Sequence, residues 1–168
     1  MESENTVGSD GDGIDWSGNQ VFVAEQSDIV RPASPSDIGD IAMMTRDIEG
    51  ENWSWKPNLI ARDLSYFFVE GDPVHGFIRV EPWGDGLLVL TLIAVKPDWQ
   101  RKGVATRLLE ALDSIAEAFD AKQLVNCGPK TPEVFKLYEK LGWEDAGRTP
   151  QGYVILTKDV KHESVEIT

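Results

Sequence analysis

The sequence predicts an α/β fold, a central mixed β-sheet flanked by helices on both faces. Three observations carry this. Leu87–Val95 is a nine-residue run broken only by Thr91; an apolar run of that length is a strand covered on both faces, in the middle of a sheet. After Gly103, the residues Ala105, Leu108, Leu109, Leu112, Ala116 and Phe119 recur on one helical face. A further strand follows at Gln123–Asn126. Strand, helix and strand in that order form a parallel crossover, which is right-handed by rule.

The remaining elements fall around this unit. Val21–Arg31 reads as a first strand, and Ser36 or Asp37 caps a helix through Ile38, Ile41, Ala42 and Met44. Asn52–Asn58 is a Trp-rich loop and Leu59–Leu64 a short helix. Tyr66–Val69 and Gly76–Val80 are strands joined by Glu70-Gly71-Asp72-Pro73, whose Gly and Pro mark a hairpin turn. Thr131 caps a helix that takes Pro132 at its first position and ends at Gly142. Val154–Thr157 completes the sheet.

At 168 residues the chain is long enough for one domain with a sizeable core. Residues 1–20 hold five carboxylates and no Lys or Arg, so they read as a disordered acidic tail. Residues 21–160 are then the folded domain and 161–168 a C-terminal tail. No run of 18 apolar residues and no signal-peptide pattern occurs, so no membrane association is expected. The single Cys127 excludes an internal disulfide and fits a reducing cytoplasm. Two histidines and one cysteine give no metal-site spacing. The net charge of −13 argues against nucleic-acid binding and favours cationic partners through long-range attraction; solubility, or adaptation to a salty cytoplasm, is the plainer explanation.

The informative motif lies between the central strand and its helix. Val95-Lys96-Pro97-Asp98-Trp99 leads into Gln100-Arg101-Lys102-Gly103-Val104-Ala105-Thr106. A helix N-terminus leaves its first amides unpaired and carries a partial positive charge, so a phosphate or pyrophosphate fits there. Gly103, lacking a Cβ, permits close backbone approach, and Arg101 and Lys102 add positive charge.

This stretch resembles the Gln/Arg-x-x-Gly-x-Gly/Ala signature of the GNAT superfamily of acyl-CoA N-acyltransferases. A second likeness is Leu137-Tyr138-Glu139-Lys140-Leu141-Gly142-Trp143, and a third is Val30-Arg31-Pro32-Ala33 followed by Ser36-Asp37-Ile38. Together they span roughly residues 22–158. The resemblance implies a GNAT fold whose central strand splays from its parallel neighbour to admit acetyl-CoA as acyl donor. It implies that the amides from Arg101 to Thr106 hold the pyrophosphate and that Val95 pairs its backbone with the pantetheine arm. By the same resemblance the Ile93 amide binds the thioester carbonyl, and Thr131 stands where the family often has a cofactor-contacting Asn. Ile93 and Val95 can also serve as plain core, because their backbones and side chains are separate resources.

The chemistry expected is direct attack of a primary amine on the thioester. The acceptor is a protein N-terminus, a lysine or a small, cationic amine. Tyr138, the matching family position for a general acid, would protonate the leaving thiolate; otherwise it is a hydrogen-bonded core tyrosine. The family often places a Glu on the central strand as base, and here that strand offers only Thr91. Glu81 or Asp85 could act through water, or be simple solvated carboxylates. Trp53 and Trp55 fall where the family builds its acceptor pocket, and also suit a lid or a homodimer contact. His75 reads as a strand-edge residue. Two rivals stand beside the enzyme: a GNAT-fold sensor that binds acyl-CoA without turnover, and another type of nucleotide-binding α/β protein. The second lacks both the Gly-x-Gly-x-x-Gly and the Gly-x-x-x-x-Gly-Lys-Ser/Thr loops.

Overall fold

The computed structural model describes residues 29–49, 55–127 and 132–160. A seven-stranded mixed sheet has the order β1-β2-β3-β4-β5-β7-β6. Its strands are β1 (Val30–Pro32), β2 (Phe67–Glu70), β3 (Gly76–Pro82), β4 (Leu87–Val95), β5 (Lys122–Cys127), β6 (Glu144–Arg148) and β7 (Val154–Lys158). The helices are α1 (Ile38–Glu49), α2 (Pro57–Arg62), α3 (Val104–Phe119) and α4 (Pro132–Lys140). β4 and β5 pair in parallel across α3, and every other neighbouring pair is antiparallel. No helix among the described residues is long and apolar enough to cross a membrane.

Helices cover both faces, as expected. On one face Ile41 and Met44 of α1 and Ile60 of α2 pack on Phe67, Val69 and Phe77. On the other, Val104, Leu108, Leu112 and Ile115 of α3 and Tyr138 of α4 pack on Ile78, Val80, Leu88, Leu90, Val125 and Leu156. Gly76 sits beneath the start of α3, where a Cβ would come within 2.5 Å of Val104 Cγ1. A side chain there would lift the helix from the sheet.

Several boundaries differ from the sequence reading. Of Val21–Arg31 the described part of the first strand begins at Val30; residues 21–28 lie outside the described region, as do the two tails. Ser34, not Ser36 or Asp37, stands at the N-cap, before a 3-10 turn at Pro35–Asp37. Asp37 instead reaches back: it accepts from the Ser34 amide at 2.8 Å and from Arg31 at 2.8 and 3.0 Å. Burial pushes its carboxyl up, but the bonds from Arg31 and Ser34 outweigh that and hold it below the usual range. The helix expected at Leu59–Leu64 starts at Pro57, because proline suits a first turn. β6 escaped sequence reading altogether; Glu-Asp-Ala-Gly-Arg is charged and mostly exposed because it is a sheet edge.

Candidate active site

A cleft opens where two neighbouring strands part. β4 and β5 pair from Leu87↔Lys122 to Leu90↔Val125 and no further. Beyond Leu90, β4 stays on β3 as far as Gly76↔Val95. β5 stays on β7 as far as Cys127↔Val154. The edge of β4 from Thr91 to Val95 therefore faces a gap.

A bulge decides what that edge presents. Val80 pairs with Leu90, but Arg79 pairs with Leu92, so Thr91 is an extra residue. The side chains change parity there: Leu88 and Leu90 face α3 and α4 before the bulge, Ile93 and Val95 after it. The backbone changes parity too. At one end the Trp83 amide donates to the Leu87 carbonyl at 2.9 Å, and at the other the Lys96 amide donates to the His75 carbonyl at 2.9 Å. In an antiparallel ladder, alternate residues turn their N–H and C=O to the same neighbour. Counting inward, Leu87 and Val89 turn to β3, and so do Leu92, Ala94 and Lys96. Ile93 and Val95 therefore turn their amides and carbonyls into the gap. The Val95 carbonyl accepts a bond from Gln100 Nε2 at 3.2 Å, on the side away from β3.

The start of α3 closes one end. Arg107 is the first amide to bond within the helix, to the Gly103 carbonyl at 3.0 Å. The amides of Val104, Ala105 and Thr106 thus have no helical acceptor. Arg101 (φ 64°) and Gly103 (φ 83°) both take the left-handed conformation, which folds the loop around its own N–H groups. The loop is held from below. Arg107 donates to the Lys102 carbonyl at 3.3 Å and clasps Glu70 at 2.9 and 2.8 Å. Glu70 also lies 2.7 Å from His75 Nε2. Burial pushes the Glu70 carboxyl up, but Arg107 and His75 outweigh it and the group sits below its ordinary value. His75 in turn stacks on Trp99, with ring centroids 3.7 Å apart. It is a support for the loop wall.

The cleft has a volume of about 510 Å³. Of the residues singled out from sequence, Ile93, Val95, Gln100, Arg101, Gly103, Val104, Ala105, Thr106 and Tyr138 all line it. Lys102 does not; its Nζ lies 5.6 Å from the Trp99 ring centroid. Thr131 and Trp53 lie outside the described residues. Ala94, Trp99, Leu109 and Leu137 line the cleft without having been assigned to it. Leu109 was findable, being one helical turn after Ala105. Trp99 carried no signal beyond its place before the motif.

Tyr138 is 1% exposed and meets Trp143 edge-on at 5.2 Å. Trp143 is drawn back by the helix end: its amide bonds the Tyr138 carbonyl at 3.0 Å, and Gly142 takes φ 97°. Burial, with a smaller effect of Cys127, pushes the phenol well above its usual pKa. It stays protonated at any physiological pH and is available as a donor.

Two sequence expectations meet a different geometry. Glu81 does not line the cleft. It pairs with Val89, on the far side of the bulge from Ile93 and roughly 13 Å from it along the strand. Its carboxylate is taken by Arg79 and by Trp83 Nε1, the latter at 3.0 Å. Burial pushes its pKa up, but Arg79 and Trp83 outweigh that and hold it low, which weakens it as a base. Asp85 sits exposed in the β3–β4 turn. Trp55 packs edge-on against Phe67 at 6.2 Å, and the Arg79 guanidinium lies 4.7 Å from its ring centroid. The cation on that aromatic face is the protein's own.

The arrangement can hold a diphosphate at the helix N-terminus, pair an extended amide-bearing chain with Val95, and present two donors, the Ile93 amide and the Tyr138 hydroxyl. Residues 62–145 match the family described as the acetyltransferase (GNAT) domain. The chain is 32% identical over 101 residues to the catalytic subunit of the N-terminal acetyltransferase B complex of Arabidopsis thaliana, a match that spans 55% of this chain and 58% of that protein's length. Among solved structures it superposes on Ard1 from Thermoplasma volcanium with a TM-score of 0.70 at 20% identity, covering 79% of this chain and 97% of that one. It also superposes on a GNAT phosphinothricin acetyltransferase from Sinorhizobium meliloti in complex with acetyl-CoA. That match has a TM-score of 0.69 at 18% identity and covers 78% and 87% of the two chains. At such identities the structural likeness speaks to the fold alone.

Proposed function

The chain belongs to the GNAT acetyltransferase family, and from that premise we propose that it moves an acetyl group from acetyl-CoA to a primary amine, with a protein or peptide N-terminus as the acceptor. One observation supports this above all others. The bulge turns the Ile93 and Val95 backbones into the same cleft that the start of α3 and the buried Tyr138 close off. The comparison with an N-terminal acetyltransferase subunit supports the choice of acceptor.

In this reading the amides of Val104, Ala105 and Thr106, with the Arg101 loop, hold the pyrophosphate. The left-handed Gly103 lets that loop come close. Val95 pairs with the pantetheine arm, whose amide displaces Gln100 from the Val95 carbonyl. The Ile93 amide donates to the thioester oxygen and strengthens as negative charge builds there, a contribution of ~3–4 kcal/mol for an oxyanion donor. The amine nitrogen bonds to the carbonyl carbon, the carbon–sulfur bond breaks, and Tyr138 gives its proton to the departing thiolate. The proton shed by the attacking nitrogen restores the Tyr138 phenol, so the products are an amide and free CoA and the enzyme is unchanged.

The acceptor choice also follows from what the cleft offers as base. Among the described residues no carboxylate lines it. An α-amine, with pKa ~7.7–8, is substantially neutral near pH 7.5, whereas a lysine amine at ~10.4 needs a base. The charge of −13 favours a cationic acceptor peptide. The same lack of a carboxylate favours a second reading, an acyl-CoA sensor without turnover.

A thermal-shift titration with acetyl-CoA, against NAD and ATP, tests the donor site first. Ligand at 100 times its dissociation constant stabilises by ~2.7 kcal/mol. A saturable rise with acetyl-CoA alone supports the assignment, and no rise refutes it. A panel of peptides with free or blocked N-termini, read by mass and by thiol release, then separates enzyme from sensor.

A further inference from the structure

We infer that Arg79 and Thr91 form a lock on the β4 bulge, and that Arg79 is a positioning residue for the acyl-binding amide although it does not line the cleft. The inference rests on the donor site proposed above and concerns what keeps that site in register.

Arg79 is an unusual residue to bury. It is 4% exposed on the interior strand β3, and its Nε has no hydrogen-bond partner. A lone buried guanidinium is strongly unfavourable, and an unsatisfied donor adds to that. The surroundings are built to retain it. Asp63 accepts from Nη2 at 2.9 Å, and Glu81 accepts from Nη1. The rings of Trp55, Tyr66 and Phe67 lie 4.7, 5.2 and 5.8 Å from its central carbon. Both carboxylates are held in the charged form, since each sits below its ordinary pKa.

What this clamp fixes is Thr91, the extra residue of the bulge. Arg79 Nη1 donates to Thr91 Oγ1 at 3.0 Å. Thr91 Oγ1 in turn donates to the Arg79 carbonyl at 3.1 Å. The order matters. Because the hydroxyl oxygen faces a guanidinium that can only donate, its own proton is directed to the carbonyl. The side chain of the bulged residue is thereby tied by two bonds, one accepted and one donated, to Arg79 on the neighbouring strand. A nine-residue apolar strand has little else to choose its register, because a slip of one residue only exchanges one apolar set for another. A regular β4 would turn Ile93 and Val95 towards β3 and leave the even-numbered residues facing the gap. The lock therefore decides which amides meet the acyl group.

Thr91→Val removes both hydrogen bonds while keeping a β-branched side chain of the same shape, and Thr91→Ser restores the hydroxyl. Arg79→Lys keeps a charge for Asp63 and Glu81 but loses the Nη1 geometry; should it fail to fold, the Thr91 pair carries the test. Two measurements are made. In the ligand-free protein, hydrogen exchange is followed at Leu92 and Ala94, whose amides turn to β3. By calorimetry, the affinities for acetyl-CoA and for CoA are compared. The expected result for Thr91→Val is at least ~10-fold faster exchange at those amides, with α3 unchanged. Its preference for acetyl-CoA over CoA should fall by ~3–10-fold, the loss of one hydrogen bond, and Thr91→Ser should match wild type. Unchanged exchange and preference in Thr91→Val, or a Ser variant no better than Val, overturns the lock. If the wild type binds neither ligand, the donor-site reading fails, while the exchange arm still decides whether the pair holds the bulge.

Discussion

Replacing Tyr138 by Phe removes one oxygen from a side chain that is 1% exposed. The ring keeps its edge-on contact with Trp143 at 5.2 Å, so packing barely changes. The groups proposed to hold the donor, on β4 and at the start of α3, are untouched. The expected effect is confined to the proton. General acid catalysis contributes ~10²–10⁴ in rate, or about 2.7–5.5 kcal/mol of barrier. Burial raises the phenol, which makes it a weaker acid. In the proposed mechanism transfer still proceeds, because the thiolate leaves beside the same buried phenol, where its own charge is also penalised. Two further expectations follow. The wild-type kcat–pH profile shows no falling limb from this phenol below about pH 10, its unperturbed value. The variant is slower by the same factor across pH 7–9. The assay is thiol release with a peptide acceptor, alongside calorimetry with CoA. A kcat within twofold of wild type would refute the general-acid role. A parallel loss of CoA affinity would show instead that the hydroxyl holds the cleft together.

Gly103→Ala, at φ 83° with the new Cβ 3.0 Å from Arg107 Nη1, should cost about 1–2 kcal/mol and weaken CoA binding; unchanged melting and binding would show that the loop tolerates a side chain. Gly76→Ala, whose Cβ meets Val104 Cγ1 at 2.5 Å, should cost about 1–3 kcal/mol in thermal melts, and no loss would mean α3 moves freely. Cys127 is 5% exposed and its thiol is pushed up to about 11 by burial, so native protein should resist thiol reagents at pH 7; rapid stoichiometric labelling, read by mass, would contradict this. Asp37, Asp63, Glu70 and Glu81 are all depressed in the folded state. The unfolded chain therefore binds more protons, and their contribution is full above the unfolded values near ~4 and lost as pH falls through the folded ones. Melting temperature should drop steeply below pH 4, and a flat profile to pH 3 would refute the linkage.

What sequence could and could not reveal divides along physical lines. α3 was legible because Ala105, Leu108, Leu109, Leu112, Ala116 and Phe119 repeat at helical spacing over about four turns. The Glu70–Pro73 turn was legible because Gly71 takes φ 97°, a conformation glycine adopts without strain. The cleft wall was legible because a glycine before a helix, following a buried strand, is a local pattern. The bulge was not: in a run of Leu, Val and Ile, period two leaves no mark when its parity shifts. Glu81 and Trp55 were assigned by position along the chain, yet their roles depend on Arg79. That contact exists only once β3, α2 and the Leu64–Tyr66 turn are folded together. β6 was hidden because an edge strand has no need to be apolar.

The parting of β4 from β5 creates a strand edge inside a sheet. Exposed edges invite other chains to add a strand, which is how many proteins begin to aggregate. Here the exposed length is Thr91–Val95, with β3 behind it, the Arg101 loop at one end and Tyr138 opposite. A polypeptide adding a strand there would have to set side chains against these walls, whereas a slender chain carrying amides but no side chains would not. Under the proposed function, the walls that flank the donor's arm also stand beside the edge on which a neighbouring protein would otherwise complete the sheet.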